Sequence, residues 1–239
     1  MTRALEGKIA VVTGGSGAIG SAIVAGMERL GACAVSLDIT PPAGAPPFQE
    51  CDVRDDASVA SAIAKVRQIH SRIDLVVHAA GVSREAVLWK LAVEDWDFVN
   101  SVNLRGAFLL LRHAIPVMRA GEGGRIVLIG SINGSRGKFG TAAYSASKAG
   151  LIALAKTVAR EVARFGILIN VVEPGWIRTP LTEALPPAVR DAARAESLIG
   201  KYVEPADVAA AVAFLCGAGA RQITGQILRV DGGQSLGSV

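Results

Sequence analysis

Short apolar runs rich in β-branched residues alternate along the chain with longer, Ala-rich amphipathic stretches. The apolar runs lie at residues 8–13, 33–37, 73–78, 125–130, 168–173 and 227–230. They are continuous rather than alternating, which predicts strands covered on both faces and therefore a parallel sheet. Amphipathic segments of helical length lie at residues 18–30, 56–70, 94–119, 141–165 and 205–216. The alternation predicts a single doubly wound α/β domain of the Rossmann type over residues 1–239, with helices on both faces of the sheet.

Two segments interrupt this rhythm. Residues 40–49, with the sequence TPPAGAPPFQ, are too rich in proline for a helix, so the connection after the second strand is predicted to be a loop. Residues 176–201 contain Pro180, Pro186 and Pro187 and a short Ala/Arg-rich helical patch. A long irregular insertion after the carboxyl end of a strand is typical of a lid or substrate loop, and we expect that role here.

Composition and charge exclude several function classes. The chain has 239 residues, of which 51% are hydrophobic, and a formal net charge of +4. Its basic residues are interleaved with acidic ones, so a nucleic-acid partner is not expected. No stretch is long enough to span a bilayer, and the first apolar run is too short for a signal sequence, so we expect a cytoplasmic protein without a membrane partner. The three cysteines have no metal-binding spacing, and no metal site is expected.

A glycine-rich turn follows the first strand and leads into a helix. Residues 13–20 read TGGSGAIG, and Gly15, Gly17 and Gly20 fit the pattern G-x-G-x-x-G. Glycines let the backbone approach a pyrophosphate, and the helix N-terminus offers free N–H groups to it. Asp38 follows at the end of the second strand, about twenty residues further on, where a carboxylate binds the adenosine ribose. That carboxylate would repel a 2′-phosphate, and residues 14–20 and 38–44 contain no Lys or Arg, so we predict NAD as the cofactor rather than NADP.

Tyr144 and Lys148 are four residues apart, which puts them on one face of a helix. A neighbouring ammonium favours the phenolate form of a tyrosine, which could then remove the proton of an alcohol. Taken alone, such a pair is most often only a surface pair. The rest of the chain changes that weighting.

The motifs taken together resemble the short-chain dehydrogenase/reductase family. They are the turn at 13–20, Asn103 in VNLRG, Ser131 in IGS, the run from Tyr144 to Lys148 (YSASK), Pro174-Gly175 and the terminal VDGG at 230–233. They occur in the family's order over nearly the whole chain. The resemblance implies a nicotinamide-dependent oxidoreductase acting on a small molecule, and a homotetramer formed through the helices at 94–119 and 141–165.

The resemblance also implies a role for each matching position. Tyr144 is the acid/base, and Lys148 lowers the pKa of Tyr144 and binds the nicotinamide ribose. Ser131 binds the substrate oxygen, and Asn103 holds a water that links Lys148 to solvent. The implied cofactor contacts, Tyr144 and Lys148 included, are Gly14, Ser16, Gly17, Ala18, Ile19, Gly20, Asp38, Asp52, Val53, Ala80, Gly81, Pro174, Gly175, Ile177 and Thr179.

The chain departs from the family pattern at two places. The family's phosphate turn has a glycine where this chain has Ala18. The family's N-N-A-G after the fourth strand is His78-Ala79-Ala80-Gly81 here, so no side-chain amide remains at that point. His78 could be a catalytic histidine, but a structural role at the end of the strand is favoured.

The constellation predicts that a secondary alcohol or ketone, such as a cyclic diol or a hydroxy acid, is the substrate. Seven cations lie in the segments expected to bound the pocket, and they could bind an anionic substrate group or be solvated: Arg84, Lys90, Arg136, Lys138, Arg178, Arg190 and Arg194. The loop after Asp38 and the chain's ending are similar to the branch that oxidises dihydrodiol carboxylates. The general motif run is equally similar to 3-oxoacyl-carrier-protein reductases, which usually prefer NADPH. A non-enzymatic dinucleotide sensor on the same fold is the third alternative.

Overall fold

The computed structural model describes residues 3–44, 46–184 and 186–237, and it contains one seven-stranded sheet. The strands are β1 (Ile9–Thr13), β2 (Cys33–Asp38), β3 (Phe48–Glu50), β4 (Leu75–His78), β5 (Gly124–Ile129), β6 (Ile167–Pro174) and β7 (Ile227–Val230). They are all parallel, in the order β3-β2-β1-β4-β5-β6-β7. The chain reverses its direction of winding between β1 and β4, which is where open α/β sheets bind their ligands.

Helices cover both faces, as the continuous apolar strands predict. They are α1 (Ala18–Arg29), α2 (Asp56–His70), α3 (Val93–Asn100), α4 (Gly106–Ala120), α5 (Ile132–Arg136), α6 (Ala142–Val162), α7 (Pro180–Glu183), α8 (Pro187–Ala195) and α9 (Pro205–Cys216). Alternate residues of each strand face opposite sides. In β1, Val11 packs with α2, α4 and α6, whereas Ala10 and Val12 pack with α1 and α9. The predicted doubly wound Rossmann-type fold is therefore confirmed.

The structure also corrects the sequence-based assignment. The segment 40–49, predicted as a loop, ends in β3, a three-residue strand that pairs with β2 from Ser36 to Asp38. The helix expected at 94–119 is divided into α3 and α4 by a π-helical turn over Ser101–Arg105. The segment 176–201 contains α7 and α8 on either side of Leu185, which lies outside the described residues.

In the part of the chain that the structure describes, no helix combines the length and the apolar character needed to cross a membrane. That part of the chain contains no group of three or more His, Cys, Asp or Glu side chains arranged to hold a metal ion.

Candidate functional site

The turn between β1 and α1 brings two segments of backbone into close contact. Gly14 has φ of +67°, and a Cβ there would lie 2.6 Å from the backbone nitrogen of Ala80. Gly17 is the N-cap of α1 and supplies no side-chain hydrogen bond to it. The first-turn N–H groups of α1 are therefore available to an anion, which is the arrangement that binds a pyrophosphate. The backbone cradle fits a dinucleotide.

The other predicted residues of this turn leave the backbone cradle open. Ala18 is the first residue of α1 and its side chain is exposed, so the methyl group that departs from the family pattern meets no obstruction. Gly20 is buried, and a Cβ there would overlap the carbonyl oxygen of Gly14. Ile19 is partly buried against the core under α1 and α9.

Asp38 lies at the carboxyl end of β2, beside the phosphate turn. Its Oδ2 accepts a hydrogen bond from the backbone N–H of Ser16 at 3.0 Å, and its Oδ1 accepts one from Ile39 at 2.8 Å. The Ser16 hydroxyl donates to the carbonyl of Thr40 at 2.6 Å. Asp38 is thus fixed as a hydrogen-bond acceptor at the position that the sequence predicts for the ribose contact.

A cavity of about 330 Å³ extends from this turn along the ends of β2 and β4. Its lining includes Gly14, Asp38, Asp52, Val53, Ala80 and Gly81, so the structure brings these predicted contacts together. The Asp52 carboxylate is bound by Arg54, whose Nη2 lies 2.6 Å from Oδ2, and this interaction lowers the pKa of Asp52. Arg54 also lines the cavity, although the sequence-based analysis did not select it.

Tyr144, Lys148 and Ser131 converge beyond this cavity. Lys148 is buried, and its ammonium donates to the carbonyl oxygen of Ile129 at 2.8 Å, with Nζ 5.6 Å from the centre of the Tyr144 ring. Ser131 is the N-cap of α5, where its hydroxyl accepts from the N–H of Asn133, and it lies close enough to the Tyr144 side chain to influence its pKa. A Cβ at Gly81 would lie 3.3 Å from Nζ of Lys148, so glycine leaves room beside that ammonium.

Burial shifts the pKa of both members of the Tyr144–Lys148 pair. It lowers the pKa of Lys148 to about 8 because it disfavours the charged ammonium. It also raises the pKa of Tyr144; the hydrogen bond from Ser131 opposes that rise, and the nearby charge of Glu85 adds to it. Burial is therefore the largest influence on the pKa of Tyr144, and the role of Lys148 in lowering that pKa stays a prediction. The phenol is held in its protonated form, which is the proton donor.

Asn103 lies in the π-helical turn between α3 and α4 and is fully buried. Its Oδ1 accepts from the N–H of Val82 at 2.8 Å, and its Nδ2 donates to the Val82 carbonyl and to the Ser147 hydroxyl. Ser147 in turn donates to the carbonyl of Tyr144 at 2.7 Å. Asn103 thus fixes the segment after β4 against the helix that carries Tyr144.

His78 is fully buried at the end of β4. Its Nδ1 lies 2.9 Å from Oγ1 of Thr13, and its Nε2 lies 3.1 Å from the carbonyl oxygen of Asn103. Burial and the nearby charge of Lys148 lower the pKa of His78 to about 3, so the ring is neutral at physiological pH. The ring is occupied by protein partners on both nitrogens.

The predicted nicotinamide contacts follow β6. The N–H of Gly175, next to Pro174, donates to the carbonyl of Val230 at 2.9 Å, and Ile177 forms an isolated bridge with Val203. Thr179 precedes α7 and acts as its cap, because its Oγ1 accepts from the N–H of Thr182 at 3.3 Å. These four residues are brought to the carboxyl end of the sheet with the cofactor turn.

Sequence reasoning missed a network that holds the segment 176–201, which we call the substrate loop. The buried Gln234 accepts from the N–H of Trp176 at 2.8 Å and donates to Glu196 at 2.9 Å. Arg136 binds the same Glu196 oxygen at 2.9 Å and donates to the carbonyl of Gln234. The start of the loop, its end, α5 and the C-terminal segment are therefore connected. We call Arg136, Glu196 and Gln234 the loop latch.

A second missed residue is Glu173, which is fully buried near the end of β6. Its Oε1 accepts from the Ser135 hydroxyl at 2.7 Å, and its Oε2 accepts from Nε of Arg229 at 3.2 Å. Ser135 belongs to α5, so this carboxylate connects the Ser131 segment to the edge strand β7. The sequence did contain a signal for Glu173: a charged residue inside an apolar strand, which must have partners if its carboxylate is buried.

Four of the seven cations predicted around the pocket are paired with carboxylates of the protein. The pairs are Arg84–Asp95, Arg136–Glu196, Arg178–Glu204 and Arg194–Asp191. Lys138 instead lies over the ring of Trp176, with Nζ 4.7 Å from its centre. This pairing weakens the argument for an anionic substrate group.

The glycine cradle, the switch-point cavity and the Tyr144 cluster define a Rossmann-type oxidoreductase that binds a nicotinamide cofactor. A family model described as enoyl-(acyl carrier protein) reductase matches residues 16–235. With the relatives described next, this match shows that the chain belongs to the short-chain dehydrogenase/reductase family.

Its relatives are similar over almost their entire length. The chain is 36% identical to the 3-oxoacyl-[acyl-carrier-protein] reductase FabG of Thermotoga maritima, over 96% of this chain and 98% of that one. It is 38% identical to the FabG of Escherichia coli, with 97% and 98% covered. It is 37% identical to an acetoacetyl-CoA reductase of Synechocystis, with 95% and 96% covered. The crystal structure of gox2181 superposes with a TM-score of 0.93 at 31% identity, covering 98% of both chains.

Proposed function

We propose that the chain is an NAD(H)-linked ketoreductase that interconverts a secondary alcohol and its ketone, with Tyr144 as acid/base. The observation that carries this proposal is the convergence of Tyr144 with Ser131 and Lys148, beyond a cavity lined by the glycine turn and Asp38. Bound nicotinamide supplies or accepts the hydride. The turn at 13–20 would hold the pyrophosphate, and Pro174, Gly175, Ile177 and Thr179 would bound the nicotinamide.

The remaining chemistry is carried by the chain's own side chains. In the direction of reduction, Ser131 donates a hydrogen bond to the carbonyl oxygen of the substrate and stabilises its developing negative charge. Tyr144 gives its phenolic proton to that oxygen. The ammonium of Lys148 then favours the phenolate that remains. The raised pKa of Tyr144 suits this direction, because the protonated phenol is the reactant.

The relatives favour a 3-oxoacyl thioester as the ketone, because proteins of similar length are named as reductases of that class of substrate. A hydroxy acid, or a diol that carries a carboxylate, loses support, because four of the seven cations that could bind a carboxylate are paired with the protein's own acids. A thioester reductase is therefore the first substrate class to test. In this proposal the substrate loop, residues 176–201, closes over the acyl group.

Replacing Tyr144 by Phe tests the mechanism, because it removes only the phenolic oxygen. We expect kcat for a 3-oxoacyl thioester to fall about 100- to 10,000-fold, the usual contribution of a positioned acid. Tyr202→Phe is the matched control, since these are the only two tyrosines of the chain and the Tyr202 hydroxyl donates to the carbonyl of Arg190. A Tyr144→Phe enzyme with near wild-type kcat would sink the mechanism. Absence of turnover by the wild-type chain with thioesters, ketones and diols would favour the dinucleotide sensor.

The NAD(H) preference rests on Asp38 and can be tested by calorimetry without any substrate. The wild-type chain should bind NADH more tightly than NADPH. Asp38→Asn removes the negative charge and keeps an acceptor oxygen for only one of the N–H groups of Ser16 and Ile39. That lost bond affects both cofactors alike, so the ratio of the two Kd values should still shift by about tenfold towards NADPH. Glu50→Gln is the control, because Glu50 is opposite Asp38 on the adjacent strand. Tighter binding of NADPH by the wild type would overturn the assignment.

We also propose the homotetramer that the resemblance implies, assembled through α4 and α6. The Phe108 side chain supports it, because α4 leaves that ring 47% exposed in the single chain. Light scattering should give four times the chain mass of 24.6 kDa. The variant Phe108→Glu should shift the population towards smaller species, whereas a wild-type monomer would exclude this assembly.

A further inference from the structure

A continuous series of hydrogen bonds runs from the phosphate turn to the catalytic helix, and His78 is its central member. Thr13, the residue that opens the turn, contacts Nδ1 of His78 at 2.9 Å. Nε2 of the same ring contacts the carbonyl oxygen of Asn103 at 3.1 Å. Thr13, His78 and Asn103 are all fully buried. Water cannot replace either bond at such a site, so losing one leaves a buried polar group without its partner.

The surroundings of His78 determine which nitrogen carries the proton. A carbonyl oxygen can only accept, so Nε2 carries the hydrogen and donates it to Asn103. The ring is neutral, so Nδ1 accepts, and the Thr13 hydroxyl is its donor. That hydroxyl also accepts from the N–H of Ala80 at 3.4 Å. One tautomer therefore satisfies every group in contact with the ring.

The series continues beyond Asn103 through its side chain. Nδ2 of Asn103 donates to the Ser147 hydroxyl at 2.9 Å, and Ser147 donates to the carbonyl of Tyr144 at 2.7 Å. Asn103 lies where the helix widens into its π-helical turn, and such turns are rare and frequently found at functional sites. This turn has a partner outside the helix. The ring of His78 supplies that partner.

We propose that His78 is a positioning residue that couples the cofactor turn to the catalytic helix, by holding Thr13 through Nδ1 and the π-helical turn through Nε2. The family pattern has asparagine at this position, and an asparagine side chain reaches only as far as the Nδ1 position. The two-sided link is therefore a property of the histidine in this chain. Testing this inference through kcat rests on the proposed function, whereas testing it through hydrogen exchange and through the Kd of NADH does not.

Two variants separate the two sides of the ring. His78→Asn places an acceptor at the Nδ1 position and keeps the bond with Thr13, but leaves the Asn103 carbonyl without a donor. His78→Gln places an amide nitrogen at the Nε2 position and keeps the bond with Asn103, but loses Thr13. Thr13→Val is the matched control, because it removes the same Thr13 bond from the other side. The measurements are the NADH Kd by calorimetry, kcat with a 3-oxoacyl thioester, amide hydrogen exchange over residues 101–105, and Tm.

For His78→Asn we expect kcat to fall about tenfold, exchange over residues 101–105 to rise at least fivefold, and the NADH Kd to stay within threefold of wild type. For His78→Gln and Thr13→Val we expect the reverse: a Kd weakened several-fold, with exchange over residues 101–105 within threefold of wild type. If the Asn and Gln variants did not differ in hydrogen exchange or in NADH Kd, and both only lowered Tm, His78 would be a packing residue. That result would overturn the inference. An inactive wild type would count against the proposed function alone, since exchange and Kd still decide the role of His78.

Discussion

The two sides of the site are built in different ways. The cofactor side is shaped by backbone: the turn at 13–20 lies against Ala80, and glycines supply the space. The substrate side is shaped by side chains: the loop latch holds the substrate loop, and Glu173 holds α5. Backbone contacts of this kind tolerate no added atom, whereas a latch of polar side chains can be changed one member at a time. We expect substitutions on the two sides to have very different costs.

The largest effect should come from the cofactor side. Gly14→Ala should weaken NADH binding at least about 100-fold, because the new methyl group would lie 2.6 Å from the backbone nitrogen of Ala80 at a positive φ. Gly137→Ala on the substrate side is the matched control: its φ is +71°, and no atom lies within 4 Å of the added carbon. It places an alanine at a positive φ without the collision. Calorimetry should find an NADH Kd within threefold of wild type for Gly137→Ala, and equal losses in both variants would refute the backbone cradle.

A smaller effect should appear at the junction of the two sides, where Lys148 titrates. Reduction requires a protonated Tyr144 and a charged Lys148. With the pKa of Lys148 lowered to about 8, the ammonium is present below pH 8 and is lost above it. The kcat for reduction should therefore be constant below about pH 7 and fall about tenfold per pH unit well above pH 8.

Lys148→Arg provides the control for that pH profile. A guanidinium keeps its charge throughout this range, so the falling limb should move to higher pH even if the plateau is lower. Steady-state rates from pH 6 to 10 check both enzymes. A wild-type profile without a fall above pH 8 would show that the charge of Lys148 is not required.

The smallest effect should come from the loop latch. The Arg136–Glu196 pair is 28% and 47% exposed, and pairs of this kind contribute about 0.2–1 kcal/mol. Arg136→Gln and Glu196→Gln should each raise the KM for the thioester about two- to fourfold with kcat little changed, and the double variant should be no worse than either single one. Arg194→Gln, which breaks a more exposed pair on α8, should leave KM unchanged. Fully additive losses would mean that the two side chains act separately.

The same contrast explains what the sequence could predict. Glycines, strand ends and Asp38 occupy fixed positions along the chain, so their grouping could be predicted, and Gly14, Asp38, Ala80 and Gly81 line one cavity. Glu173 and Gln234 were not selected, because their partners Arg229, Ser135, Trp176 and Glu196 come from distant segments that only the fold brings together. The strand β3 was missed because it has three residues and follows a proline-rich stretch.

The direction in which the pKa of Tyr144 shifts could not be predicted from the sequence for a related reason. The spacing of Tyr144 and Lys148 correctly puts an ammonium near the phenol, at 5.6 Å from the ring centre. Spacing carries no information about desolvation, which is the largest cause of the upward shift. The contribution of Glu85 was also hidden, because it depends on the pairing of Ala86 with Thr141.

Glu173 has a further consequence for how the protein opens. Its carboxylate is fully buried and depends on Arg229 of the edge strand β7 for its counter-charge. If β7 detached, that charge would remain in the interior with only the Ser135 hydroxyl beside it, which is unfavourable. We therefore expect β7 and α5 to unfold locally as one cooperative unit, leaving β1, β4 and the phosphate turn protected. The substrate side would then be the first part of the site to be lost on heating, and cofactor binding would outlast catalysis.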